Sequence, residues 1–495
     1  MNLVNAFTAS VQKTPDKIAL FWGEQEFSFT TLHEQSLGVA RQLVERFAVR
    51  PGDRVALWLK NCPEFIPALF GILNAGGVVV PINNFLKPAE VSYILDDSGA
   101  DVIITDTELS AHFPVLSAER SSLKLFQIEE FSVANETSKT TTAIHTARSE
   151  ADLAIIIYTS GTTGRPKGAM LSHGNLLHNV ESCRIVLETV DVDRFAVILP
   201  MFHSYILTAG LLLPLLVGGS MVLVKSISHP NHMLREIVSR QATVLPAIPP
   251  FYRTMASATI PGGLPFRICV SGAAPLPVQV LKDFEAKYKI PIIEGYGLSE
   301  ASPVVTKNPI HGIRKPGSIG LPIPHVEVSV QNDEGKMLGA NETGEICVRG
   351  GNVMVGYWKK PEETAKAMRG EWLLTGDIGH RDADGYYFIT DRKKDMLLVN
   401  GINVYPREIE EILYQFPGVK EAAVIGVPDA RKGEQPVAFV SANDGVTLDE
   451  TTLLQFIRER LADYKVPKRI TFMAVLPRNA TGKILKTELR QQAAG

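Results

Sequence analysis

Cysteine is scarce in this 495-residue chain and never clustered: Cys62, Cys183, Cys269 and Cys347 lie far apart, with no CxxC pair. That spacing suggests neither a disulfide framework nor a zinc knuckle, and a reducing cytosol is the expected compartment. Neither sign of charge is in excess. Lys and Arg number 50 against 53 Asp and Glu, a formal net charge of −3, which argues against a general nucleic-acid coat. The opening stretch carries Lys13 and Asp16 where an export signal needs an uninterrupted apolar core, so no such signal is expected. No period of fixed length repeats along the chain. What is present is ordinary: 45% hydrophobic residues, 39 Gly and 31 Pro describe a turn-rich globular protein, not a disordered or fibrous one. At roughly 150 residues per domain, about three structural units are expected.

One long run lacks charge. The 30 residues between Arg194 and Lys225 include no Asp, Glu, Lys or Arg, which is long enough to span a bilayer. Pro200, His203, Pro214 and Gly218-Gly219 cut the run, so it reads as a buried helix followed by a buried strand, MVLV at 221–224. From Thr30 to Asp106, helix-like stretches alternate with the apolar runs RVALWL, GGVVVPI and ADVIITD. Such alternation predicts largely parallel sheets covered by helices. The polar run at 136–152 is expected to be a surface loop.

After residue 320 the pattern changes to hairpins, VEVSV, GEICVRG and DADGYYFITD, hence a small antiparallel unit. Past Arg392 a small α+β lobe is expected. Pro406 opens an amphipathic helix, AAVIGV and PVAFVSA read as strands, and Thr447 and Glu450 have capping-box spacing before a helix with Leu453, Leu454 and Ile457 on its buried stripe. The fold class is therefore α/β: a large N-terminal domain over 1–391, a charged junction at 392–394, and a C-terminal domain over 395–495.

The most informative segment is YTSGTTGRPKG at 158–168. After an apolar strand it offers the hydroxyls of Thr159, Ser160, Thr162 and Thr163, the glycines Gly161, Gly164 and Gly168, and Lys167. A phosphate cradle needs these groups: glycines let backbone N–H groups converge, hydroxyls donate, and lysine adds a compact positive charge. It is not a Walker A loop, because Pro166 stands where that motif has Gly before its Lys.

Together with GYGLSE at 295–300, TGD at 375–377, DRKKDMLLVNGINVYPREIE at 391–410 and PRNATGKILK at 477–486, this segment makes the chain resemble the adenylate-forming superfamily. That superfamily comprises acyl-CoA synthetases, aryl-CoA ligases, beetle luciferases and peptide-synthetase adenylation domains, and the likeness spans nearly the whole chain. It implies a two-step reaction. A carboxylate attacks the α-phosphate of ATP and releases pyrophosphate, and a thiol then attacks the acyl-adenylate. Activation is needed because a carboxylate's own leaving group would be oxide, whereas AMP leaves readily. Donors aimed at the charge growing on phosphate lower that barrier.

By resemblance, Glu300 is the Mg2+-binding acid, with Thr162 beside it, and Mg2+ suits carboxylate, phosphate and water oxygens. Tyr296, between Gly295 and Gly297, packs on adenine. Gly272, Ala273 and Ala274 of SGAAP form the opposite wall, and Ser299 stands where the family usually has Thr. Asp377 receives the ribose hydroxyls and Arg392 contacts ribose or phosphate. Lys483 reaches the α-phosphate and the attacking carboxylate. The C-terminal lobe is implied to turn about Lys394, withdrawing Lys483 and presenting residues 399–404, with Gly401 sparing room for the pantetheine of CoA.

His203 and Tyr205, in PMFHSYILTAGLLLPLL, fall where the family builds its acyl pocket. No acidic residue occurs between Arg194 and Glu236, so nothing here would balance an α-ammonium, and a neutral apolar acyl group is expected. None of the four tryptophans, Trp22, Trp58, Trp358 and Trp372, lies in the pocket segments to gate a long tunnel. Medium to long fatty acids are the expected substrates. The rivals are a coumarate-type aryl-CoA ligase, a fatty acyl-AMP ligase loading a carrier protein, a luciferase-like oxygenase, and a nucleotide-binding regulator without chemistry. The sequence leaves open a homodimer and a peripheral membrane contact, with no basic amphipathic helix that requires the latter.

Overall fold

The computed structural model describes residues 1–131, 148–159, 165–225, 230–258, 263–429, 431–478 and 483–494. Two large sheets form the body. One has nine strands, of which six adjacent ones, from Ile18–Trp22 through Arg194–Val197 to Ile292–Gly297, run parallel to one another, with antiparallel strands added at both ends. The other has seven, with Arg54–Trp58, Val78–Pro81 and Val102–Thr105 side by side and parallel. These strands are buried on both faces, which is why they read as continuous apolar runs instead of alternating ones. The helices Phe29–Glu45 and Phe65–Asn74 pack on each other within the largest core cluster.

The uncharged run is not a span. It divides into the strand Arg194–Val197, the short helical turns Ser204–Ile206, Leu207–Leu212 and Leu213–Val217, and the strand Ser220–Leu223. Pro214 opens the last turn, and Gly218, in a left-handed conformation, closes it. The middle turn winds as π-helix, next to the pocket described below. Among the described residues no helix is long and apolar enough to cross a membrane.

The hairpins past residue 320 form the expected antiparallel sheet, from Val326–Gln331, Gly344–Gly350, Trp372–Arg381 and Tyr387–Arg392 with a short edge strand. The chain then passes to a last sheet built on the long hairpin Val419–Asp429 and Gly433–Ala442. Pro406–Tyr414 packs on that hairpin with Ile409 and Leu413 buried. The next helix starts later than its sequence suggests. Asp449, not Thr447, is the cap: its carboxylate accepts from the Thr452 amide at 2.8 Å, and the helix runs Glu450–Arg458. Glu450 turns away to accept from the Ile470 amide at 2.8 Å, tying helix to strand instead of closing a capping box. Most of the polar run at 136–152 lies outside the described residues.

Candidate functional site

Register brings the first charged pair together. Asp377 and Arg392 stand opposite each other on the paired strands Trp372–Arg381 and Tyr387–Arg392, and the Arg392 Nε lies 2.7 Å from Asp377 Oδ1. The Tyr296 hydroxyl donates to the other carboxylate oxygen of Asp377. Thr375 fixes the turn before it, accepting from the Asp377 amide at 3.1 Å and donating to the Ile346 carbonyl at 2.7 Å. Asp377 is thus a buried carboxylate with both oxygens engaged, as a buried charge must be.

Tyr296 follows Gly295 at the end of the strand Ile292–Gly297. Gly297 must be glycine, since a Cβ there would stand 2.1 Å from the Pro303 carbonyl oxygen. Ser299 and Glu300 follow in a short turn, where the Ser299 hydroxyl meets that of Ser204 at 2.9 Å. Glu300 Oε1 accepts from the Tyr357 hydroxyl at 2.9 Å and from Thr159 at 3.3 Å. Lys167, the cross-strand partner of Thr159, pairs with Glu363 and lies 5.3 Å from the Tyr357 ring centre. Thr159 and Lys167 end the two strands of a hairpin, and of the residues joining them Ser160, Gly161, Thr162, Thr163 and Gly164 lie outside the described residues. Tyr357 and Glu363 had no signal in the sequence, because only folding places Tyr357 against a carboxylate 57 positions away.

Gly272, Ala273 and Ala274 follow the strand Ile268–Ser271, and Ala273 adopts a left-handed backbone with φ of 65°. A Cβ on Gly272 would stand 3.2 Å from the Tyr205 ring, so glycine here admits that ring. Tyr205 is buried and donates to the Val270 carbonyl at 2.9 Å. With His203, Leu199, Pro200, Ile206, Ile248 and Ala273 it lines a cavity of about 10 Å3, roughly the room of one water.

His203 is a neutral imidazole. Burial, then the nearby charge of Lys483, lowers its pKa to about 4. Its Nδ1 accepts from the Tyr205 amide at 3.3 Å, which leaves the ring hydrogen on Nε2. Lys483 arrives from the far end of the chain into the field of Arg392, Asp377, Lys394 and Asp395. Burial first, then Arg392, lowers its pKa to about 8, against the pull of Asp377, while a flank of the residue stays open to solvent. Lys394 and Gly401 are exposed on the other side of the junction, and Gly401 has φ of 77° with nothing within 4 Å of a Cβ.

The likeness of whole relatives extends over nearly the entire chain, while two family models match it on either side of residues 359–407, the stretch that holds Asp377, Arg392, Lys394 and Gly401. The description "AMP-binding enzyme" matches residues 7–358, and "AMP-binding enzyme C-terminal domain" matches 408–483. This chain belongs to the AMP-binding enzyme family. It is an AMP-forming acid–thiol ligase of the acyl-CoA synthetase kind.

Among its relatives, a long-chain-fatty-acid–CoA ligase of Bacillus subtilis is 36% identical, over 99% of this chain and 94% of its own length. A feruloyl-CoA synthase of Amycolatopsis is also 36% identical, over 97% of this chain and 96% of its own. Among solved structures, ATP-bound MatB from Rhodopseudomonas palustris superposes with a TM-score of 0.92 at 33% identity, over 99% of both chains. The apo form of the same enzyme superposes at 0.80 with the same identity and coverage.

Proposed function

We propose that this ligase binds ATP at Asp377, Arg392, Tyr296, Lys167 and the 272–274 turn, joins it to a compact apolar acid at His203, and passes the acyl group to CoA. The electrostatic coupling of Lys483 to His203 on one side and to Arg392 and Asp377 on the other carries the reading, since a carboxylate and an α-phosphate brought to Lys483 would share these neighbours. Asp377, once Arg392 and Tyr296 shift toward ligand, can accept both hydroxyls of a ribose. The Nε2–H of neutral His203 donates to the acid. Lys483 neutralises charge as the phosphorus is attacked, and its withdrawal by turning about Lys394 frees the route for a thiol past Gly401.

Mg2+ would be held by Glu300. Among the described residues no cluster of three acidic, His or Cys side chains could hold a metal alone, and one carboxylate flanked by hydroxyls suits an ion that keeps waters and takes phosphate oxygens. Bound there, it would neutralise phosphate charge.

A compact acid is favoured because Tyr205 closes the pocket behind His203. The second reading, a medium to long fatty acid, is favoured by the 36% identity to a long-chain ligase over nearly the whole chain. Acid-dependent ATP–pyrophosphate exchange with fatty acids of six to sixteen carbons and with cinnamates ranks the two. Absence of exchange with every acid would leave only a nucleotide binder, and stable acyl-AMP in the presence of CoA would indicate a carrier-protein acceptor.

A further inference from the structure

We infer that Asn352 and Tyr357 are positioning residues for Glu300, the first holding the turn on which it stands and the second aiming its carboxylate at the metal that accompanies the nucleotide. The inference rests on the Mg2+ role proposed for Glu300 and deepens it.

The turn is gripped from two sides. Asn352 and Asn179, both fully buried, come from segments far apart in the chain and donate to the same two carbonyls. The Asn352 Nδ2 reaches those of Ala301 at 3.0 Å and Val304 at 3.1 Å. The Asn179 Nδ2 reaches Val304 at 2.7 Å and Ala301 at 3.5 Å, and its Oδ1 accepts from the Val304 amide at 3.1 Å. On the same face of the helix His173–Val186, Asn175 donates to the carbonyls of Gly351 and Val353 at 2.8 and 2.9 Å, fixing the backbone on both sides of Asn352. The Met354 amide then donates to the carbonyl of Glu300 itself at 2.8 Å. Buried carbonyls need donors, which these amides supply, but the carboxylate of Glu300 is engaged as well.

Beyond Met354 the chain pairs with the strand that carries Lys167. The Val355 amide donates to the Met170 carbonyl at 2.9 Å, Tyr357 lies opposite Ala169, and the Trp358 amide donates to the Gly168 carbonyl at 2.8 Å. That register brings the Tyr357 hydroxyl to Glu300 Oε1 at 2.9 Å, the oxygen that also accepts from Thr159 at 3.3 Å. A carboxylate held through one oxygen presents the other to a cation in a fixed direction. Burial, then the charge of Glu300, raises the Tyr357 phenol above its ordinary range, so it remains a donor at any working pH. Residues 351–357 thus tie Glu300, by backbone and by side chain, to the strand of Lys167. Groups that orient a metal ligand in this way commonly account for about 10- to 100-fold in metal affinity or activity.

The test is calorimetric titration of the α,β-methylene analogue of ATP, whose α–β bridge cannot be cleaved, into the purified full chain with Mn2+ and again with a chelator. The ratio of the two dissociation constants measures what the metal adds. The wild type is expected to bind the analogue more tightly with Mn2+. Tyr357→Phe keeps the ring and should reduce that gain by about 10-fold or more, while its chelator titration and melting point match the wild type. Asn352→Ala should reduce the gain several-fold and still fold, because Asn179 continues to donate to both carbonyls. A gain that Tyr357→Phe leaves unchanged, or equal weakening with and without metal, overturns the inference and spares the metal role of Glu300. A gain that Glu300→Gln leaves whole overturns both. Acid-dependent ATP–pyrophosphate exchange by the same wild-type preparation shows that the ligase reading stands in either case, and its absence with every acid overturns that reading separately.

Discussion

Replacing Lys483 by Ala separates the two chemical steps. Its ammonium stands in the field of Arg392 and Asp377 and acts on the charge of His203, so on the proposed reading its loss removes one preorganised cation from where phosphate charge grows. Removing one such donor commonly costs about 10²–10³ in rate, and exchange should fall by that factor. Thiolysis of supplied acyl-AMP should be nearly untouched, because in the proposed cycle Lys483 is withdrawn before that step. The wild-type pH profile provides a second check. With a pKa of about 8, Lys483 is about nine-tenths protonated at pH 7 and about one-tenth at pH 9. The charged form is lost as pH rises, so exchange should drop several-fold across that interval and keep falling. His203, near 4, stays neutral throughout. Exchange that stays level to pH 10, or an equal loss of both half-reactions in Lys483→Ala, would refute this division of labour.

Three further outcomes are expected. His173 is 1% exposed, accepts from the Leu3 amide, and is held by burial to about 4 against an ordinary 6.5. The unfolded chain binds that proton first, so stability falls as pH drops from 6.5 toward 4, and His173→Gln should recover up to ~3 kcal/mol of the loss in melts at pH 4.5. Identical pH dependence in both proteins would exclude His173 as a source. Tyr205→Ala removes the closure of the pocket and should raise kcat/KM for long fatty acids relative to hexanoate by at least ~10-fold, at a stability cost of ~3–5 kcal/mol; an unaltered length preference would place the closure elsewhere. Gly401→Leu should slow thioester formation more than exchange. Because φ of 77° strains any side chain there, its melting curve must accompany the rates, and equal slowing of both steps would argue against a thiol route past this residue.

Much of the fold could be read along the chain because its determinants are local. Parallel strands buried on both faces appear as unbroken apolar runs, and Pro214 and Gly218 punctuate the uncharged stretch whatever surrounds it. The start of the helix at residue 450 is ambiguous along the chain for a local reason too: Thr447 and Asp449 both offer a capping oxygen, and the bond from the Thr452 amide to Asp449, with Glu450 drawn off to the Ile470 amide, decides between them.

The residues that the resemblance assigns to the chemistry, Lys167, Glu300, Asp377, Arg392 and Lys483, are legible along the chain through motifs that keep their spacing and order. What binds each of them was not. Glu363 on Lys167, Tyr357 on Glu300 and the ring of Tyr205 seated on Gly272 join segments far apart in the chain. Composition and periodicity act over a few residues, whereas the electrostatics of the cleft depends on which side chains packing excludes from water.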